Sequence, residues 1–371
     1  MNSLVPLTVA VPLLGAAVFA GVGQVVRGRF FNVCAIVVAA ATTGLCLTLL
    51  LHSRTGDVVY WFAGWHVRNG VALGIAFSVG PTSAAIASFT GFLATGALIY
   101  SWSSYRGREV GSLFYTLMLL FMAGMIGFSL TGDLFNMFVF FELMSVCAYA
   151  LTGFQVRQTS ALEGALQFAI TNSIGAFLIL FGIALVYGRT GALNLAQIGV
   201  ELARRPPDAL VAVSLALIVA GFLVKAGAAP FHFWLSDAYA VAPTAVAALL
   251  TGVMSDLGYH GIARVYWAAF SGSTGQAEAI RNVLVALGVA SALVGGAMAL
   301  LQAELKRLIA FATVANGGVT LVGIGVLTPD GLGGSDVFVV AGGLVRAAAI
   351  LLVGVCIHHL GSGDELELRG R

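Results

Sequence analysis

Charge is what this 371-residue sequence has least of: Asp, Glu, Lys and Arg make up 9% of it, where a soluble domain carries roughly a quarter. That excludes an ordinary water-facing globular surface. The formal charge is only +2, and the basic residues are scattered rather than clustered, so no nucleic-acid partner is indicated. Cysteine is equally sparse. Cys34, Cys46, Cys147 and Cys356 all lie in apolar runs and show no Cys-x-x-Cys spacing, which argues against a disulfide framework and against a zinc or iron–sulfur site. They read as small core residues. The sequence also lacks a Walker loop, a dinucleotide-type glycine pattern, a haem-attachment motif and a Gly-x-Ser-x-Gly elbow. The adjacent His358 and His359 stand at a helix end beside an acidic tail and read as an interfacial pair rather than a metal site. The expectation is a chain with no catalytic residue, no metal and no cofactor of its own.

What the sequence has in abundance is apolar length. Hydrophobic residues make up 59% of the chain and mean hydropathy is +0.98. A helix needs about 20 mainly apolar residues to cross a bilayer. About eleven runs qualify: 4–22, 31–52, 75–103, 111–130, 134–154, 163–187, 209–229, 244–268, 279–301, 307–327 and 337–359. The fold class predicted is an all-α, polytopic membrane protein embedded in a lipid bilayer. The first run follows only Met1-Asn2-Ser3-Leu4, without a basic n-region, and reads as a span rather than a cleaved signal peptide. The side of the first connection carries nine Lys and Arg: Arg27, Arg29, Arg106, Arg108, Arg157, Lys306, Arg307, Arg369 and Arg371. The other side carries seven. The positive-inside rule therefore places the N-terminus extracytoplasmic, in the cell membrane. Most of the 47 glycines lie inside apolar runs and read as close-packing positions between helices.

Against this background a few polar groups stand out. Glu142 lies in the middle of "DLFNMFVFFELMSVCAYALTGF", where a charge costs at least ~2.5 kcal/mol and normally faces protein or a wet path. Lys225 lies five residues before Pro230 in "IVAGFLVKAGAAPFHFWLSDAYAVAPTAV". Proline breaks the helical hydrogen-bond ladder, so the seventh segment should kink or break around Gly227 to Pro230, and broken helices at membrane depth often mark ion sites. Burial disfavours the charged form of a lysine while a neighbouring carboxylate favours it. A Glu142–Lys225 couple is therefore able to hand on a proton if segments five and seven pack together. The alternatives are a static ion pair for Glu142 and a lysine that snorkels to the interface.

In segment eight, Asp256, His260 and Arg264 are spaced i, i+4, i+8 and form one polar stripe, which reads as a wet path. The alternative is an interfacial Arg264 and a satisfied core His260. Arg346, in "AGGLVRAAAILLVG", needs a carboxylate or carbonyl partner by the same cost argument; Asp256 is one candidate.

The stretches "GDLFNMFVFFELMSVCAYALTGF", "VKAGAAPFHFWLSDAYAVAPTAVAALLTGVM" and "ELKRLIAFATVANGGV" resemble the antiporter-like proton-translocating subunits of respiratory complex I, of group 4 hydrogenases and of Mrp-type cation/proton antiporters. The likeness runs from about Leu73 onward. It implies a fold of about fourteen helices with two inverted five-helix repeats, each containing a broken helix. Here that would give N-terminal helices over 1–110, a first repeat over 111–268, part of a second over 277–360 and a polar tail over 361–371. It also implies that Glu142 is the family's fifth-helix glutamate, Lys225 its broken-helix lysine and His232 the histidine after the break. Together with Asp256, His260 and Arg346, these form the expected proton relay. The sequence departs from the family where Asp256 replaces a lysine, Asn316 a histidine, and Gly342 and Arg346 a His and Lys pair. About three of the family's helices, including its second broken helix, have no counterpart among the eleven runs. The resemblance implies H+ or Na+ as cargo and other membrane subunits as partners, with redox cofactors, if any, in those partners. The rival readings are a non-conducting structural subunit and a stand-alone antiporter.

Overall fold

The computed structural model describes residues 3–23, 30–68, 70–104, 111–204, 206, 208–272 and 277–368. Arg27, Arg29, Arg106, Arg108, Arg369 and Arg371, six of the nine cations behind the orientation argument, lie outside the described residues.

Ten helices are long and apolar enough to span a membrane. They are α1 (Leu4–Val22), α2 (Phe30–Ser53), α3 (Pro81–Ser104), α4 (Ser112–Leu130), α5 (Leu134–Thr152), α6 (Thr159–Thr190), α8 (Ala209–Ala226), α12 (Ala277–Leu300), α13 (Leu305–Gly325) and α14 (Pro329–Leu360). The eighth run of the sequence is crossed in pieces. It consists of α10 (Thr244–Leu249), a π turn at Leu250–Met254, α11 (Ser255–Val265) and a second π turn at Tyr266–Phe270. The fold is thus all-α and polytopic, as the hydropathy predicts. Polar side chains start several of the helices. Asp133 accepts from the Asn136 amide at 2.8 Å, Asp208 from Val211 at 2.9 Å and Thr328 from Gly331 at 3.1 Å, satisfying amides that the first turn leaves without partners.

The break in the seventh segment falls where Gly227 and Pro230 place it. Helix α8 ends at Ala226, and Gly227 adopts φ +67°, a left-handed turn that costs glycine no Cβ penalty. The chain resumes as α9 (Phe233–Val241). Trp234, the second residue of α9, turns back across the break and donates from Nε1 to the Val224 carbonyl at 3.2 Å.

Two elements are not visible as separate units in the sequence. A hairpin of β1 (Val58–Trp61) and β2 (Ala76–Val79) pairs antiparallel between α2 and α3. In the sequence its apolar "AFSVG" merges into the third run, because a four-residue apolar strand cannot be told from a helix end by periodicity. The short helix α7 (Leu195–Ala203) precedes α8. Both lie on one face of the bundle, tied together by bridges Phe77–Thr131 and Asp133–Asn194. We call this the hairpin side.

Candidate proton-relay site

Lys225 is completely buried. It arrives at the last turn of α8, which packs on α6 and α11. Its ammonium donates to Ser145 Oγ at 2.8 Å and lies 5.1 Å from the ring centroid of Phe141 and 5.7 Å from that of Phe168, inside the ~6 Å range of cation–π attraction. Trp234 stacks flat on Phe168, with centroids 4.3 Å apart, so the second half of the broken helix fixes one wall of the lysine's cage. Ser145, Phe141 and Phe168 are site residues that sequence reasoning misses. Ser145 carries a signal, since it lies one helical turn from Glu142.

Glu142 stands at a seam. On α5, Phe135, Val139 and Val146 form an exposed apolar stripe, and Glu142 lies half-buried at its margin with Oε1 enclosed and lacking a protein partner. Among the described residues no direct ion pair joins Glu142 to Lys225. Each lies within reach of the other's charge, and Ser145, which accepts from Lys225, spends its own hydroxyl proton on the Phe141 carbonyl. A closed static ion pair is therefore not what the structure shows.

Asp256 and Arg346 are both buried and joined directly, Arg346 Nη2 donating to Asp256 Oδ2. Arg346 Nε donates to the Thr251 carbonyl at 2.8 Å, inside the first π turn, a kind of local widening found frequently at functional sites. The contact depends on close backbone approach. A Cβ on Gly343 would overlap the Gly252 carbonyl oxygen. Gly343→Val is accordingly expected to force α14 off the π turn, at a cost of at least ~1–3 kcal/mol, read as a lower melting temperature of the purified protein in detergent. An unchanged melting temperature would mean that the two backbones do not touch there.

The other residues of the stripe divide. His260 is buried, with Nε2 lacking a protein partner. Arg264 donates to the carbonyls of Ser129 (2.5 Å), Ser78 (2.6 Å) and Leu130 (3.4 Å), filling the open carbonyls at the end of α4 and holding β2 against them. His232 stacks on Phe233 at 4.7 Å, beside a ring that is 72% exposed, and Nδ1 has no protein partner; no hydrogen bond joins it to Lys225 or Asp256 among the described residues. At the end opposite the hairpin, Lys306 Nζ donates to the Ala242 carbonyl at 3.0 Å and Arg307 pairs with Asp237 at 3.2 Å, so α13 clamps the far end of α9. His358 and His359 contact edge to face, and no group of three metal-ligating side chains occurs among the described residues.

A buried lysine at a helix break, a half-buried glutamate on the facing helix and short polar caps around an all-α bundle form a specific arrangement. A model of the NADH:quinone oxidoreductase/Mrp antiporter transmembrane family matches residues 131–370. The chain belongs to this family. It is 32% identical over 331 residues to an NADH-quinone oxidoreductase subunit from Desulforudis audaxviator, covering 88% of this chain and 64% of that protein. To an Na+/H+ antiporter subunit from Bacillus subtilis it is 27% identical, over 100% of this chain and 73% of the relative. Among solved structures, the Mrp complex from Dietzia sp. DQ12-45-1b contains a chain that superimposes with a TM-score of 0.87 at 27% identity, covering 98% of this chain and 66% of that one. The chain thus spans about two thirds to three quarters of the length of these relatives.

Proposed function

We propose that this family member is a proton- or sodium/proton-translocating membrane subunit of a multi-subunit complex of the complex I, hydrogenase or Mrp kind. Lys225 relays the proton near mid-membrane, Glu142 biases the lysine's charge, and the N-terminus is extracytoplasmic. One observation carries the reading: a fully buried amine held by a hydroxyl and two ring faces rather than by a carboxylate. A structural ion pair is stabilised by direct charge contact and resists changing state. An amine held by a hydroxyl and two ring faces is able to gain or lose a proton without breaking a direct ion pair. The relatives' names as subunits support partner subunits. From Lys225 the path would continue through Asp256, Arg346 and His260; His232 stands near the break and outside that line.

A second reading has its own observation. Asp256 and Arg346 are locked together where the family resemblance leads one to expect a lysine and a His–Lys pair, which fits a subunit kept for structure alone. Glu142→Gln separates the two readings. It preserves shape and hydrogen bonding but removes the charge that favours protonated Lys225. Transport per assembled complex is expected to fall by about tenfold or more, since ~1.4 kcal/mol is a factor of ten, with assembly unchanged. Unchanged transport with reduced assembly would favour the structural subunit.

A further inference from the structure

Between α8 and α12 the lipid-facing surface is cut by a cavity of about 570 Å³. Ser291 on α12 accepts from the Ala229 amide at 2.9 Å, which ties α12 to the chain just past the end of α8. Toward the hairpin side the two helices stand apart, and the cavity lies between them. Its floor is apolar: Val211, Leu215 and Val219 follow one another at helical-turn spacing on α8, with Ile280 and Leu284 opposite them on α12. Val211, Leu215 and Leu284 are buried, whereas Val213 and Val283, which also line the cavity, are 49% and 56% exposed. The cavity is therefore a groove that opens sideways to the bilayer.

The groove has a defined length and a charged head. The span from Asp208 to Val219 is about 16 Å long at 1.5 Å per residue, half of the ~30 Å hydrocarbon core and so the depth of one leaflet. At its head Asp208 uses Oδ1 to cap α8, accepting from the Val211 amide at 2.9 Å, and Oδ2 to accept from Arg189 Nε at 2.7 Å. The aspartate side chain is 42% exposed and the arginine side chain 19%. Among the described residues Arg189 makes no other hydrogen bond, so its two Nη groups are unspent. Tyr187, 51% exposed near the same end of α6, marks this level as the headgroup region, where amphipathic aromatics collect. A carboxylate beside a guanidinium, above a leaflet-deep apolar groove, complements a headgroup that carries an ammonium next to a phosphate.

We propose that this groove binds one phosphatidylethanolamine molecule of the hairpin-side leaflet, with an acyl chain along the groove floor, the phosphate on Arg189 and the ammonium on Asp208. The headgroup follows from the donors and acceptors. A guanidinium presents N–H groups that match phosphate oxygens. A primary ammonium brings three N–H donors to the carboxylate. A choline headgroup brings none, and a bare phosphate headgroup sets a second negative charge against Asp208. In lipid the acyl chain merely exchanges one apolar neighbour for another, so the groove supplies packing and the headgroup contacts supply the selectivity. The bound lipid fills the space beside the Ala229–Ser291 contact and holds the first half of the broken helix at a fixed distance from α12. The proposal goes beyond the transport reading and holds whichever ion the chain moves.

The test is lipid binding by the assembled complex after delipidation in detergent. Phosphatidylethanolamine, phosphatidylcholine and phosphatidic acid with the same acyl chains are added separately. Native mass spectrometry counts the lipids retained, and the melting temperature reports stabilisation by whatever binds the folded state. Ala216, which lines the groove and is exposed, is the position at which to fill it. Wild type is expected to retain one more phosphatidylethanolamine per copy of this chain than Ala216→Trp, and to be stabilised by that lipid more than by the other two. Arg189→Gln and Asp208→Asn, the latter keeping a side-chain cap for α8, are each expected to weaken phosphatidylethanolamine binding about tenfold or more with assembly unchanged. Equal lipid counts and equal stabilisation in wild type and Ala216→Trp would overturn the site, and so would loss of a partner subunit from Ala216→Trp without loss of lipid, which would put a protein segment in the groove. Full replacement by phosphatidylcholine or phosphatidic acid would overturn the headgroup assignment. Where Ala216→Trp does not assemble, the head of the groove decides: unchanged affinity in both Arg189→Gln and Asp208→Asn overturns the proposal.

Discussion

Arg346→Gln alone is expected to destabilise the protein by about 3–5 kcal/mol, the usual cost of leaving a buried charge unpaired. Both partners of the Asp256–Arg346 pair are almost wholly enclosed, with side-chain exposures of 2% and 4%. Arg346 also holds the Thr251 carbonyl, so the substitution removes a charge-assisted contact and a backbone contact together. Asp256→Asn strands the guanidinium in the same surroundings. The double change, Asp256→Asn with Arg346→Gln, leaves no net charge behind and should be milder than the worse single change. Melting temperature in detergent, followed alongside the yield of folded protein, measures all three variants. Losses that simply add in the double variant would show that the two side chains do not share an interaction.

Hydropathy alone is enough to reveal ten of the spans, because in lipid a helix must satisfy its own backbone and so announces itself as an apolar run. The break after Lys225 is equally legible, since Pro230 and Gly227 act on the backbone locally. The hairpin is not, because β1 and β2 are four residues each and are held in place by Arg264, a residue 186 positions away from Ser78. Nor are the π turns around Leu250 and Tyr266; in the first, the Thr251 carbonyl accepts from Arg346, 95 residues away.

The site divides in the same way. Glu142, Lys225, Asp256 and Arg346 are conspicuous as charges in apolar surroundings, where each demands an explanation. Which of them meet is a question of helix faces across long separations. Asp256 and Arg346 lie 90 residues apart, and the close approach at Gly252 and Gly343 that joins them is lost among 47 glycines. Phe141 and Phe168 look like ordinary lipid-facing or core aromatics until Lys225 is placed between them. Arg264 reads in sequence as a stripe member open to water; its three carbonyl partners are backbone groups, which no side-chain pattern encodes.

Lys225→Met carries the largest functional expectation. Methionine matches the stem in length and polarisability and packs well against aromatic rings, so the cage of Phe141, Phe168 and Trp234 should keep its shape. Ser145 already donates to the Phe141 carbonyl at 2.7 Å and loses only the amine as a second contact. The substitution therefore removes the titratable group with little structural cost, and the complex should assemble normally. If the amine is the relay, transport should fall by ~10²-fold or more. The direct measurement is proton or sodium uptake into vesicles, divided by the amount of assembled complex, for wild type and Lys225→Met side by side. Normal assembly with uptake near background is the predicted result; uptake per assembled complex equal to wild type would contradict the relay.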